Sequence, residues 1–337
     1  MRFALPLAAL SGFALWAAPP SFEHQHLMMV VSKAMPGITI YDADSGQAIC
    51  RAKVGVSPHE AAFSLDGQYA YVPVYGSTAI GLAGTDEHVL HFIRTSDCSA
   101  AGTLDTGENK RPHGIAVGKS GTIYLTSEVS KSLLLIDPNQ RQIIARIPTD
   151  SPYSHMIAVT PDEKTIYVSN VQSKTVSVLD VKDRKLEKVI PTGAENQRMT
   201  LSPDGRWFVT SLGPEHKIAF YRTADDQLDF TVAVDGQPFV ARFSADGKYL
   251  YDAGHNAGQI RVWKIDVAQR KVVATSSDDI GKNTGSLTVN PFNGLVYVDD
   301  QATNKMSEID PQTWKVTKQF TTDKTPDQIA FTVVRGK

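Results

Sequence analysis

An all-β ring of seven four-stranded blades, a β-propeller, is the fold class this sequence predicts, and three observations carry it. Two adjacent segments match almost position for position: HGIAVGKSGTIYLTSEVSKSLLLIDPNQRQIIARIPTDSPYS from His113 and HMIAVTPDEKTIYVSNVQSKTVSVLDVKDRKLEKVIPTGAEN from His155. The residue that opens each repeat recurs as His59, His113, His155, Gln197, Phe239, Gly285 and Asp327, at spacings of 54, 42, 42, 42, 46 and 42 residues. The two chain ends are complementary, each carrying the part of a repeat that the other lacks.

Each repeat divides into four short alternating or β-branched runs, the signature of one small antiparallel sheet. The turn between the first two runs recurs as SLDGQ, TPDEK, SPDGR, SADGK and NPFNG, which supply tight-hairpin chemistry. A four-stranded sheet of this kind can hide its apolar face only against a neighbour, so seven of them close into a ring. LMMVVSKAMPGITIYDADSGQAICRAKVG, from Leu27, supplies the second, third and fourth strands of a blade. PDQIAFTVV, from Pro326, supplies a first strand with nothing after it. The C-terminal strand is therefore expected to complete the first blade and remove a free sheet edge.

The remaining features bound the function. Residues 1–18, MRFALPLAALSGFALWAA, read as a secretory signal peptide, leaving residues 19–337 as one propeller domain, a monomer, in the periplasm or outside the cell. No later run approaches the roughly 18–20 apolar residues of a membrane span. Lysine plus arginine number 34 against 36 acidic residues, a formal charge of −2, so the overall charge gives no general pull toward nucleic acid and leaves only a local basic patch open. Cys50 and Cys98 are the two cysteines; an oxidising compartment permits one disulfide, and two unpaired thiols are the plain alternative. No G-x-S-x-G elbow, P-loop, H-E-x-x-H helix, C-x-x-C pair or haem-attachment motif occurs. Trp207, Trp263 and Trp314 are read as strand residues used in packing.

YVSN at 167–170, inside TIYVSNVQSKTVSVLD and with SPDGR and VIPTG nearby, resembles the YVTN family of β-propeller repeat proteins. That family is similar in architecture to the lactonase-type seven-bladed propellers, and the resemblance implies an extracytoplasmic propeller. YVPV (71–74), YDAG (251–254) and YVDD (297–300) depart from the tetrapeptide but keep its tyrosine.

In such a ring the first strand of each blade runs along the central channel, and the loop before it lies on the face where the second strand ends. Asp327, His59, His113, His155 and Gln197 then become consecutive neighbours at one mouth, with Phe239 and Gly285 completing the circle. Second-strand ends add Lys33, Tyr75, Glu128 and His255, beside Val171, Leu212 and Gln301. Glu60 and Arg198, one residue past their slots, are expected to turn into the blade packing by strand alternation. A ten-residue insertion in the second blade places Gly76, Gly81, Gly84, Asp86, Glu87 and His88 in a loop on the same face, either a flap with added ligands or an idle surface loop.

Two classes of function follow. In the first, an exported binding module takes a small molecule or a protein partner at a site of His59, His113, His155, Gln197, Phe239, Asp327, Tyr75 and His255, with Phe239 as an apolar wall. In the second, His59, His113, His155 and Asp327 hold a divalent transition metal and the protein is a metal-assisted lactonase or lyase. Without a metal, His113 and Glu128 are the candidate base and acid acting on a lactone or a similar ester. The plain alternative to both is that imidazole suits a turn before a strand.

Overall fold

Seven four-stranded antiparallel sheets make up the computed structural model, which describes residues 25–76, 80, 82–276 and 279–335. The expected leader and Gly81 lie outside the described residues. Blade 1 has the strand order Pro326–Val333, His26–Ser32, Gly37–Asp42, Ala48–Lys53, so the C-terminal strand does complete the first blade. Its register runs from His26 opposite Val333 to Ser32 opposite Pro326. Blades 2 to 7 each use four consecutive strands, opening at Ala62, Pro112, Ser154, Met199, Gln237 and Leu287.

The burial of each strand follows from its place in the blade. Second and third strands are covered by neighbouring blades on both faces and are buried nearly throughout, as in Ile123–Ser127 and Val176–Leu179. Fourth strands keep one face in solvent, so residues along Gln142–Pro148 alternate between exposed and more covered positions. Between blades 4 and 5 the Tyr167 ring lies 4.3 Å from Phe208, and its hydroxyl donates to Asp226 at 2.7 Å. The hairpin turns work as their sequences imply: Ser202 Oγ donates to Asp204, which also accepts the Arg206 backbone N–H, while Gly205 takes a φ of +72°.

Cys50 and Cys98 are joined in a disulfide, which ties the outer strand of blade 1 to the outer hairpin of blade 2. Closing a loop of this length stabilises the fold by about 4 kcal/mol in the chain-entropy model. Among the described residues no helix is long and apolar enough to cross a membrane. Two details differ from the sequence reading. Trp314 sits in a turn with φ +59°, not on a strand, and stacks on Tyr251 at 5.8 Å. In blade 5 Thr200 pairs with Val209, whereas in blade 4 Ala158 pairs with Tyr167. That register puts Gly213, not Leu212, at the end position equivalent to Val171; Leu212 is buried in the interblade core.

Candidate functional site

The slot residues of blades 2 to 4 meet at the channel mouth. The His59 and His113 rings lie 4.9 Å apart, and those of His113 and His155 lie 4.0 Å apart. Gly114 makes the second approach possible, because a Cβ there would strike the His155 carbonyl oxygen. Tyr75 packs its ring 4.7 Å from His59 and 5.0 Å from His113.

Asp327, delivered by the C-terminal strand, is the charge centre. Lys33 Nζ lies 2.9 Å from its Oδ1, Gln301 Nε2 donates to the same atom at 2.7 Å, and His59 Nδ1 lies 3.3 Å from Oδ2. Gly285, the slot residue of blade 7, is required here: a side chain at that position would collide with Gln301 and Asp327. His59 Nε2 is 3.3 Å from Ser57 Oγ, and His155 Nδ1 donates to the Gln197 carbonyl at 2.9 Å. His113 is only 1% exposed, and among the described residues neither of its ring nitrogens has a hydrogen-bond partner.

Glu60 and Arg198 correct the sequence reading. They do not turn into the blades: Arg198 Nη1 meets Glu60 Oε1 at 2.7 Å, joining blade 5 to blade 2, and Arg198 Nη2 lies 3.8 Å from Asp327. Both residues precede the paired parts of their strands, Ala62–Phe63 and Met199–Leu201, so the alternation of a paired strand does not govern them. Arg198 lines the mouth cavity and is 4% exposed.

Above this pair lies a cavity of about 310 Å³, lined by Lys33, the three histidines, Gln197, Arg198, Phe239, Asp327, Val171, Gln172, Glu195 and Ile80. Burial pushes the His113 imidazole well below its ordinary value, and the nearby His155 and His59 add to this. His155 is lowered for the same first reason, helped by Arg198. Arg198 loses solvation but is held above its ordinary value by Glu60 and Asp327. The rim therefore presents two neutral imidazoles beside charges that answer one another.

Other candidates lie at the edge of this arrangement. Tyr75 donates to Glu128 at 2.5 Å, and Arg111 Nη1 is 3.7 Å from the same carboxylate, so Glu128 sits behind Tyr75 and does not line the cavity. His255 is on a separate lobe; its Nε2 accepts the Thr284 backbone N–H at 3.3 Å. In the inserted loop Asp86 is taken by Arg111 and His88 pairs with Asp105 at 2.7 Å, so neither acts as a ligand at the mouth. The loop instead contributes Ile80 to the cavity wall.

The four proposed metal ligands, His59, His113, His155 and Asp327, lie together at the mouth. Both nitrogens of His59 and Nδ1 of His155 already face protein groups, and the rings pack against one another instead of converging on a point. Among the described residues no group of three or more His, Cys, Asp or Glu side chains is placed to hold an ion.

A family model described as a YNCE-like beta-propeller matches residues 114–238, in keeping with the resemblance read from Tyr167–Asn170. Solved structures agree on the architecture. A putative 6-phosphogluconolactonase from Bacteroides uniformis is 12% identical, with 91% of this chain and 100% of that chain covered and a TM-score of 0.71. Dihydro-heme d1 dehydrogenase NirN is 16% identical, with 94% and 77% covered and a TM-score of 0.68. Hydrazine synthase from Kuenenia stuttgartiensis is 21% identical with a TM-score of 0.53; the match spans 61% of this chain and 58% of that one. At these identities the likeness establishes the fold, a seven-bladed propeller.

Proposed function

We propose that this protein is an exported, monomeric binding module whose channel mouth takes a small polar molecule. One observation carries the reading: His113, which lines a cavity of about 310 Å³, has two buried ring nitrogens with no hydrogen-bond partner among the described residues. Buried polar groups ordinarily find partners, and a concave site with a few convergent polar groups and an aromatic wall suits a small ligand. The leader pattern of residues 1–18 and the Cys50–Cys98 disulfide support an oxidising, exported location.

Thermal unfolding across a broad panel of polar metabolites tests this. A true ligand at a hundred times its dissociation constant stabilises the fold by about 2.7 kcal/mol. That stabilisation should be lost in Gln197→Trp, where the larger side chain fills the mouth. Absence of any stabilising compound, or stabilisation retained by Gln197→Trp, overturns the reading. Elemental analysis of untagged protein and a lactone panel address the other class of function. Stoichiometric metal lost on replacing His113 and His155, together with lactone turnover, would favour a metal-assisted lactonase or lyase.

A further inference from the structure

The mouth cavity has a neighbour. A second lobe of about 160 Å³ runs over blades 5 and 6, and Glu195, Gln197 and Phe239 line both lobes. Pro214 and Pro238 give the second lobe an apolar wall, and Gln237 and His255 give it polar groups.

Charge selects the class of molecule that fits. Lys33 and Arg198, the two cations of the first lobe, are already answered by Asp327 at 2.9 Å and Glu60 at 2.7 Å. A net anion must compete with those carboxylates for the two cations and also faces Glu195; a net cation must compete with Lys33 and Arg198 for the same carboxylates, and Glu195, exposed at the rim, is screened by solvent. Hydroxyl groups donate and accept at once, so they can bond both members of a pair without separating it. Gln197 offers an amide donor and acceptor, Glu195 an acceptor at the rim, and Phe239 a flat apolar face suited to the C–H edge of a sugar ring.

Resting on the reading that the mouth binds a small polar molecule, we propose that the two lobes together take an uncharged disaccharide, one ring in each, with Phe239 as their shared wall. Calorimetric titration of the whole protein tests this with glucose, galactose and N-acetylglucosamine, with lactose, cellobiose and maltose, and with gluconate and citrate as anionic controls. At least one neutral disaccharide should bind saturably and about ten-fold more tightly than its monosaccharide. Phe239→Ala should weaken it by about five- to ten-fold. Gln237→Ala, on an exposed residue of the second lobe, should weaken the disaccharide and leave the monosaccharide unchanged. Disaccharides no tighter than monosaccharides, or unaffected by both substitutions, overturn the two-ring proposal. Binding confined to the anions, or to other compounds of the broader panel, overturns the sugar class and leaves the mouth reading intact. Binding by nothing in either panel removes both.

Discussion

Blades 2 to 4 and blades 6 and 7 build the same rim with opposite chemistry. In blades 3 and 4 a neutral hydroxyl holds the backbone just after the histidine: Thr126 accepts the Gly114 N–H at 2.8 Å, and Ser169 accepts that of Met156 at 3.0 Å. In blades 6 and 7 buried carboxyls hold the rim backbone. Asp252 accepts the Phe239 N–H at 3.1 Å and the Ser211 hydroxyl. Asp299 accepts the Gly285 and Ser286 N–H groups at 2.8 and 2.7 Å, together with the Thr284 hydroxyl. Burial pushes Asp252 and Asp299 up to about 7 each, while it pushes His113 and His155 down. One desolvating environment thus favours the neutral form of these groups in both halves, by holding a proton longer on one side and shedding it sooner on the other.

The two halves should therefore respond to pH in opposite senses, and the carboxyl half carries the larger effect. A folded Asp252 or Asp299 keeps its proton to about pH 7, whereas the unfolded chain gives it up near 4. Folding binds a proton in that window, so stability falls as pH rises from about 4 to 7, by about 4 kcal/mol per carboxyl. Asp299→Asn mimics the protonated group and should flatten its share of the fall in urea unfolding followed against pH. A wild-type contribution from these groups that rises over the same window contradicts the assignment.

The buried pair that ties blade 2 to blade 5 comes next in size. Glu60→Gln removes the nearer of the two carboxylates facing the buried Arg198 charge, leaving Asp327 at 3.8 Å, and should cost about 3 kcal/mol, whereas Glu60→Leu with Arg198→Met should recover most of the loss. A double variant as unstable as the single one would show that the packing there, and not the charge, matters most.

The histidine half gives the smallest stability signal. Unfolded imidazoles protonate below about 6.5 and buried ones do not, so acid draws the chain toward the unfolded state. Between pH 6.5 and 5.5 each of His113 and His155 should subtract about 1 kcal/mol. His113→Phe should remove one of those increments in the same urea measurements; an unchanged acid slope would place His113 in water.

The contrast between the halves also marks what could be read from the chain. The 42-residue recurrence placed His59, His113 and His155 side by side, and the complementary ends placed Asp327 beside His59, because a propeller converts repeat position directly into rim position. Local geometry was harder to read. Glu60 and Arg198 lie outside the paired strand segments, where alternation has no hold. Blades 3, 4 and 6 carry register shifts at Pro112/Ile115, Ser154/Ile157 and Pro238/Val240, which break the two-residue rhythm at the mouth itself. The roles of Asp252 and Asp299 were missed, although YDAG and YVDD put acidic residues where the other blades have apolar residues, Ser or Thr. A carboxyl in a strand otherwise buried throughout was the available signal.

The central claim is that three imidazoles so far apart in sequence share one buried cluster. A titration of the histidine ring resonances by nuclear magnetic resonance tests it most directly. His113 and His155 should stay neutral well below pH 6.5, and His113→Phe should shift the signals of both His59 and His155. Three rings titrating independently near 6.5, each indifferent to replacement of the others, would contradict it.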